Sequence, residues 1–255
     1  VSYVGLIPAA GRGSRLAPLP GAKELFPIGY QDYEVDGTIH KRPKVISQFL
    51  IEQMVKAGAE RLFVVLGEYK YEIMHYYGDG SRFGVDIAYL YQEQLSGMPY
   101  ALDLAHPWLS GEETVLFGMP DTIVAPGECF ERMLVKQADL EADLVLGAFV
   151  TNTPTKFGMV SLSDTHDVLD TIDKPQDSSL KYMWGNACWG GRFSGFMHEY
   201  LAQLPSSDTE VVLGDVFNAA IQADMKVVAE VFDDGHYMDI GTVEELDAVL
   251  KKFHL

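Results

Sequence analysis

The sequence predicts an α/β protein with a mostly parallel sheet and helices on both of its faces. Two observations predict it. Apolar runs of strand length alternate with amphipathic stretches of helical spacing through the first 150 residues, as in a buried parallel sheet. The first of these runs ends in a glycine-rich turn, and ligands of such sheets sit beyond the carboxyl ends of the strands. After about residue 150 the rhythm changes, so the second half is expected to be a smaller, mixed α/β lid grafted onto the main sheet. The expectation is a single domain over residues 1–255, with a core over 1–150 and a second part over 151–255.

The elements follow in order. Residues 3–8 read as a short buried strand. Ile46, Phe49, Leu50, Met54 and Val55 fall at helical spacing, and Gly58 stops that helix. Residues 61–67 form a buried strand, 72–77 a short helix and 85–92 another strand. A helix over 99–108, a strand over 114–118, a helix over 128–138 and a strand over 143–150 complete the first half. In the second half, two short strands are joined by a turn at 164–167, and a third strand is expected over 187–193. Helices over 195–204 and 214–223, a strand over 226–232 and a closing helix over 242–253 end the chain. Residues 31–42 are polar and aperiodic, and they read as a surface loop or small hairpin.

Composition narrows the classes. With 47% hydrophobic residues in 255, a sizeable core can be buried. A formal net charge of -18 argues against nucleic acid or an anionic membrane surface as partner. Cys129 and Cys188 are far apart, with no CxxC or Cys/His cluster, so neither a zinc site nor a disulfide is expected. They read as ordinary cytosolic thiols, and the protein as cytoplasmic. No apolar run approaches the roughly 18 residues of a membrane span. The start VSYVGLIPAAG is too short and wrongly flanked for a signal peptide, and a start at Val1 leaves open whether residues precede it.

Against that acidic background the segment PAAGRGSRLAPLPGAKELFPIG stands out. Gly11 and Gly13 let the backbone turn sharply after a strand and present N–H groups to an anion. Arg15 adds a planar donor fork suited to phosphate oxygens, and Lys23 a movable point charge. The third glycine of the dinucleotide fingerprint is missing, and the P-loop pattern is absent. A tight βα turn with solvated arginines is the plain alternative for GRG alone.

The whole string, Ala9-Ala10-Gly11-Arg12-Gly13-Ser14-Arg15-Leu16 followed by Lys23-Glu24-Leu25-Phe26-Pro27-Ile28, resembles the signature of the sugar-1-phosphate nucleotidyltransferases. These enzymes are also called nucleotide-sugar pyrophosphorylases. The pattern is closest to the glucose-1-phosphate thymidylyltransferase and uridylyltransferase branch, and it recurs in order along nearly all of the chain. The resemblance implies a Rossmann-like nucleotide-diphospho-sugar transferase fold, with residues 1–150 as the nucleotide-binding core. Residues 151–255 would then be the sugar-phosphate-binding part.

Downstream landmarks carry the resemblance further. Gln92 and Gly97 match a strand-end Gln and the Gly five residues on that read a pyrimidine. An amide can both donate and accept toward that edge. Asp121, in LFGMPDTI, matches the family's Mg²⁺-binding Asp, and a carboxylate at a strand end is a natural hard-oxygen ligand. Asp239, in YMDIGT, matches the second ligand. Asp239 could instead cap the last helix, but Thr242 is better placed for that before Glu244 and Glu245. Lys156-Phe157-Gly158-Met159-Val160 resembles the sugar-site "Y-G-V-V" segment, with Phe157 for the usual Tyr and Gly158 admitting the sugar. Asp173-Lys174-Pro175 resembles "E-K-P": Lys174 would hold the sugar phosphate, and Asp173 is one methylene shorter than the family's Glu. Trp184 and Gly185 fall on a sugar-contacting segment, where an aromatic either stacks on a sugar face or packs inside the lid.

The chain departs from the family in other ways. Arg15 and Lys23 are about two residues closer than in thymidylyltransferases, and 31–42 is an insertion expected to be peripheral or to serve oligomer contacts. The 255 residues end one helix after Asp239, and neither the allosteric extension nor the β-helix domain of some relatives is expected.

The implied reaction joins an NTP, dTTP or UTP foremost, to a sugar 1-phosphate and releases pyrophosphate, with Mg²⁺ as cofactor. The catalytic residues would be Arg15, Lys23 and Lys174; the nucleotide would be held by Ala9, Ala10, Gly11, Gly13, Ser14, Gln92 and Gly97. Gly158, Asp173, Trp184 and Gly185 would hold the sugar phosphate, Asp121 and Asp239 the metal. A dimer or tetramer is implied by resemblance alone. The rivals are a cytidylyl- or guanylyltransferase on another phosphorylated substrate and a non-catalytic nucleotide-sugar-binding regulator. A nicotinamide oxidoreductase is a third, and the missing glycine counts against it.

Overall fold

β1 (Tyr3–Ala9) lies inside the main sheet because its residues are apolar on both faces. The structure is a computed structural model that describes residues 2–205 and 210–253. The chain continues through the hairpin β2 (Pro27–Val35) and β3 (Thr38–Val45), then α1 (Ile46–Lys56), β4 (Ala59–Leu66), α2 (Tyr71–Tyr77), β5 (Asp86–Tyr91) and α3 (Met98–Asp103). Next come β6 (Thr114–Phe117), β7 (Thr122–Ala125), α4 (Cys129–Leu140) and β8 (Leu144–Val150). The second half holds β9 (Gly158–Leu162), β10 (Val168–Asp173), β11 (Tyr182–Trp189), α5 (Gly191–Gln203), α6 (Leu213–Gln222), β12 (Val227–Phe232), β13 (His236–Asp239) and α7 (Val243–Lys252).

β1 pairs in parallel with β4 and β6, and β4 with β5. β11 runs antiparallel to β6, β8 and β9, and β8 pairs in parallel with β12. Successive residues alternate between the two faces. Ile7 and Val64 join Met54 of α1 and Phe130 of α4 on one side; Leu6 and Val65 join Ala101 of α3, Phe193 of α5 and Phe217 of α6 on the other. Helices therefore cover both faces of a mixed sheet whose first-half strands β1, β4, β5 and β6 are parallel. A smaller cluster of Ile28, Ile46, Ile123, Ile240 and Val249 ties the hairpin to β7, β13 and α7.

Two expectations are corrected, and the hairpin reading of residues 31–42 holds. The second half is not a lid set upon the sheet, because β9 to β12 extend the same nine-stranded sheet through β11. The strand expected over 187–193 is β11, Tyr182–Trp189; Gly190 and Gly191 end it and Phe193 is buried in α5. The segment 31–42 lies within the longer hairpin Pro27–Val45, whose Tyr30 and Ile39 are exposed. Among the described residues no helix is long and apolar enough to cross a membrane.

Candidate active site

β1 delivers the chain to a turn at the sheet's carboxyl edge. Gly13 has φ +64, in the left-handed region that favours glycine. It opens a short 3-10 turn, Ser14–Leu16, that carries Arg15. A second such turn, Lys23–Leu25, brings Lys23 back beside Gly13, whose added Cβ would lie 3.5 Å from the Lys23 Cδ. Lys23 Nζ donates to Asp121 Oδ2 at 2.5 Å, linking this loop to the turn between β6 and β7. Burial pulls the Lys23 ammonium down, but Asp121, by charge and hydrogen bond, outweighs it and holds the lysine above its ordinary range.

β7 and β13 pair antiparallel, with Asp239 opposite Thr122, and Ile240 N donates to Asp121 O at 3.0 Å. This short ladder brings two aspartates 118 positions apart in sequence into one place. Gly241 makes room there: Arg15 Nη2, Asp239 Oδ2 and Glu245 Oε2 lie 3.2, 3.4 and 3.4 Å from where its Cβ would be. Thr242 caps α7, its hydroxyl accepting from Glu245 N at 3.3 Å, and leaves Asp239 free of that duty. Burial first, then the charges of Glu245 and Asp121, push Asp239 up to about 7. Burial also pushes Glu245 up, but Lys156, 2.7 Å away, with Thr242 and Asp239, holds it below its usual range. Glu245 Oε2 is buried with no partner among the described residues. Facing acceptors of this kind need a proton or a cation, and hard carboxylate oxygens suit Mg²⁺. Among the described residues no group of three or more His, Cys, Asp or Glu is gathered for a metal, so two carboxylates would leave most of the coordination sphere to substrate or water.

Two joined cavities lie nearby, and Lys23 and Asp121 line the first. One, of about 290 Å³, is lined by Ala10, Gly11, Lys23, Gln92, Gly97 and Asp121. Gln92 is only 6% exposed; its amide N–H donates to Gly97 O at 3.4 Å, and its backbone N–H to Leu66 O at 2.8 Å. Gly97 has φ +119, and any Cβ there would collide with the Val211 carbonyl. The other cavity, of about 200 Å³, is lined by Phe157, Gly158, Asp173, Lys174, Trp184 and Tyr237. Met98, Met119 and Glu210 border both, so the two are continuous. A third cavity, of about 690 Å³, lies across residues 17–23 and shares Lys23 and Gln92 with the first.

Lys174 has φ +44, donates its backbone N–H to Phe157 O at 3.0 Å, and pairs with Asp173 at 3.1 Å. Gly158 lies directly under the Trp184 indole, and an added Cβ would collide with Nε1, which has no partner among the described residues. Several of the expected contacts stand apart from these two cavities: Gly13, Ser14, Arg15 and Asp239 line neither, although Gly13 lines the third and Asp239 sits beside Asp121. Ala9 is buried in the core and lines neither of the two cavities. Gly185 is a β-bulge residue, skipped where Trp184 pairs with Ala148 and Asn186 with Gly147, and it packs under the Tyr237 ring. Sequence reasoning missed Glu245, whose cap position signalled a helix start and not a third carboxylate beside Asp239. It also missed Met98, Met119 and Glu210, which carry no motif.

A sequence profile of the family described as Nucleotidyl transferase matches residues 4–254. The chain is 25% identical to the low-salt glycan biosynthesis nucleotidyltransferase Agl11 of Haloferax volcanii and 27% identical to a glucose-1-phosphate thymidylyltransferase of Streptomyces griseus. These matches cover 95% and 94% of this chain, but 63% of each relative, so the chain spans under two thirds of their length. It is 26% identical to the Haloferax volcanii UTP–glucose-1-phosphate uridylyltransferase AglF, over 94% of this chain and 91% of that one. Among solved structures it overlays a UDP-glucose pyrophosphorylase crystallised with UDP-glucose, at TM-score 0.79 and 18% identity, covering 100% and 99% of the two chains. The fold is therefore shared with that enzyme.

Proposed function

The chain belongs to the nucleotidyl transferase family, and from that premise we propose that it joins an NTP to a sugar 1-phosphate, releasing pyrophosphate. One observation carries the reading: Lys23 and Asp121 line one of two continuous cavities, and the β7–β13 ladder sets Asp239 beside Asp121. The passage between the two cavities, bordered by Met98, Met119 and Glu210, is where two phosphorylated substrates would have to touch.

The first cavity would take the nucleotide, with Gln92 toward a pyrimidine base, dTTP or UTP. Backbone N–H groups over residues 11–14 and the Arg15 guanidinium would hold the β- and γ-phosphates. The second cavity would take the sugar phosphate, with Lys174 on its phosphate and Asp173 on a hydroxyl. Residues 1–150 would thus serve the nucleotide and 151–255 the sugar. A phosphate oxygen of the sugar 1-phosphate attacks the α-phosphorus in line. The bond from that phosphorus to the bridging oxygen breaks, and its electron pair leaves with pyrophosphate. The nucleophile is already an anion, so no general base is required. Positioning and charge neutralisation are the whole task. Lys23 would neutralise charge at the α-phosphate, and Lys174 would keep the two anions from repelling each other. Asp121 and Asp239 would hold Mg²⁺, which when bound supplies further charge neutralisation to phosphate oxygens. A reaction that consumes a nucleoside triphosphate suits the cytoplasm.

The test is pyrophosphate release with Mg²⁺, crossing dTTP, UTP, CTP, GTP and ATP with a panel of sugar 1-phosphates. A productive pair that is lost in Asp121→Asn supports the reading. Triphosphate binding without turnover of any pair would turn it toward a binding protein.

A further inference from the structure

Lys23 is held by its neighbours as well as by Asp121. The backbone N–H of Ala22 donates to Glu72 Oε1 at 2.8 Å. The backbone carbonyl of Glu24 accepts from Ser47 Oγ at 2.6 Å, and Ser47 is itself 2.5 Å from the Tyr77 hydroxyl. The Glu24 carboxylate receives Lys70 Nζ at 2.6 Å, and the two side chains are 2% and 6% exposed. Lys70 and Glu72 both come from the segment after β4. Tyr69, between Glu68 and Lys70, has φ +64, a conformation that a bulky residue rarely adopts. A strained backbone therefore accompanies a lysine turned inward.

Stability is a poor reason for such a pair. Taking two charges out of water costs as much as their attraction returns, and apolar residues of like volume are commonly as stable. Burial indeed pushes the Glu24 carboxyl up against the pull of Lys70. What the pair supplies, and apolar packing does not, is a fixed direction on the residue next to Lys23.

We propose that the Glu24–Lys70 ion pair is a positioning device that fixes the turn presenting Lys23 to the triphosphate, a role beyond the family's phosphate contacts. It rests on the reading of Lys23 as a phosphate ligand.

The experiment compares wild type with the double variant Glu24→Met/Lys70→Met, which removes both charges at similar volume. It measures melting temperature, dTTP and UTP dissociation constants, and kcat and KM for the productive pair. The expected result is a near-wild-type melting temperature with triphosphate affinity weakened about fivefold. In addition kcat falls about tenfold and the sugar-phosphate KM hardly moves, as misplacement of one charged group predicts. If the double variant does not fold, Glu24→Gln, which keeps an acceptor for Lys70, is measured by the same criteria. A variant with a lowered melting temperature but wild-type triphosphate affinity and kcat overturns the proposal and leaves the pair a structural one. Should wild type release no pyrophosphate, the function proposed above fails separately, and the triphosphate affinities alone decide this one: weakening supports it and no change overturns it.

Discussion

Lys23 keeps 15% of its side chain in solvent and is ion-paired to Asp121, whereas Lys174 keeps 57% in solvent beside an Asp173 that keeps 33%. The cavity around Lys23 is walled by tethered polar groups: Gln92 on Gly97, Glu24 on Lys70, Ala22 on Glu72. The cavity around Lys174 has an apolar wall of Met98, Met119, Met183, Trp184 and Leu213 with its charges at the rim. A charge in a confined, water-poor place acts strongly and depends on its framework. A charge at a rim is screened, and it contributes attraction and orientation more than transition-state energy. On the proposed function, the first cavity would serve a constant polyanion and the second a substrate whose identity can vary.

Four substitutions test this contrast. Lys23→Ala should have the largest effect, a loss of about 10²–10³ in kcat, read by pyrophosphate release. Near-full turnover would erase the distinction between the cavities. Lys174→Ala should fall short of it, about 10–10² in kcat/KM, mostly as a raised sugar-phosphate KM that added salt accentuates in wild type. A salt-independent wild-type KM would place Lys174 deeper than its exposure indicates. Gly158→Ala should push the Trp184 indole and raise the sugar-phosphate KM about tenfold, with the triphosphate dissociation constant unchanged. Weakened triphosphate binding would mean that the cavities are not separable. Thr242→Ala should have the smallest effect: about 1 kcal/mol of stability, from loss of the cap on Glu245 N, seen in denaturant unfolding. A drop in kcat larger than the stability loss would tie α7 to Asp239.

The parts legible in the sequence were those set by local rules. β1 and its turn followed from an apolar run ending in glycines, and Thr242 as a cap followed from its place before two acidic residues. Resemblance, and not spacing, brought Asp121 together with Asp239. The ladder that joins them consists of strands of four residues each, too short for a period to show. Glu24 and Lys70 were illegible because nothing local marks partners 46 positions apart. The start of β11 was not legible because the bulge at Gly185 breaks the alternation that would have marked residues 182–186 as strand.

That bulge has a consequence for how such a protein can change. Tyr182 and Trp184 before it share a core face with Ala187 and Trp189 after it, while Met183 and Cys188 lie on the opposite face. The even–odd order of the strand is switched at Gly185, by one residue. Deleting that residue would remove the bulge and keep both ends on their present faces and in register with β8, whereas deleting any other residue of β11 would turn one end inside out, as any one-residue slip does. Point substitutions can therefore reshape the pocket around Trp184, and a single-codon loss keeps the register of β11 only at Gly185. Away from that bulge the length of β11 is inherited as a unit, and variation in the pocket has to come from side chains and from loops at the strand's ends.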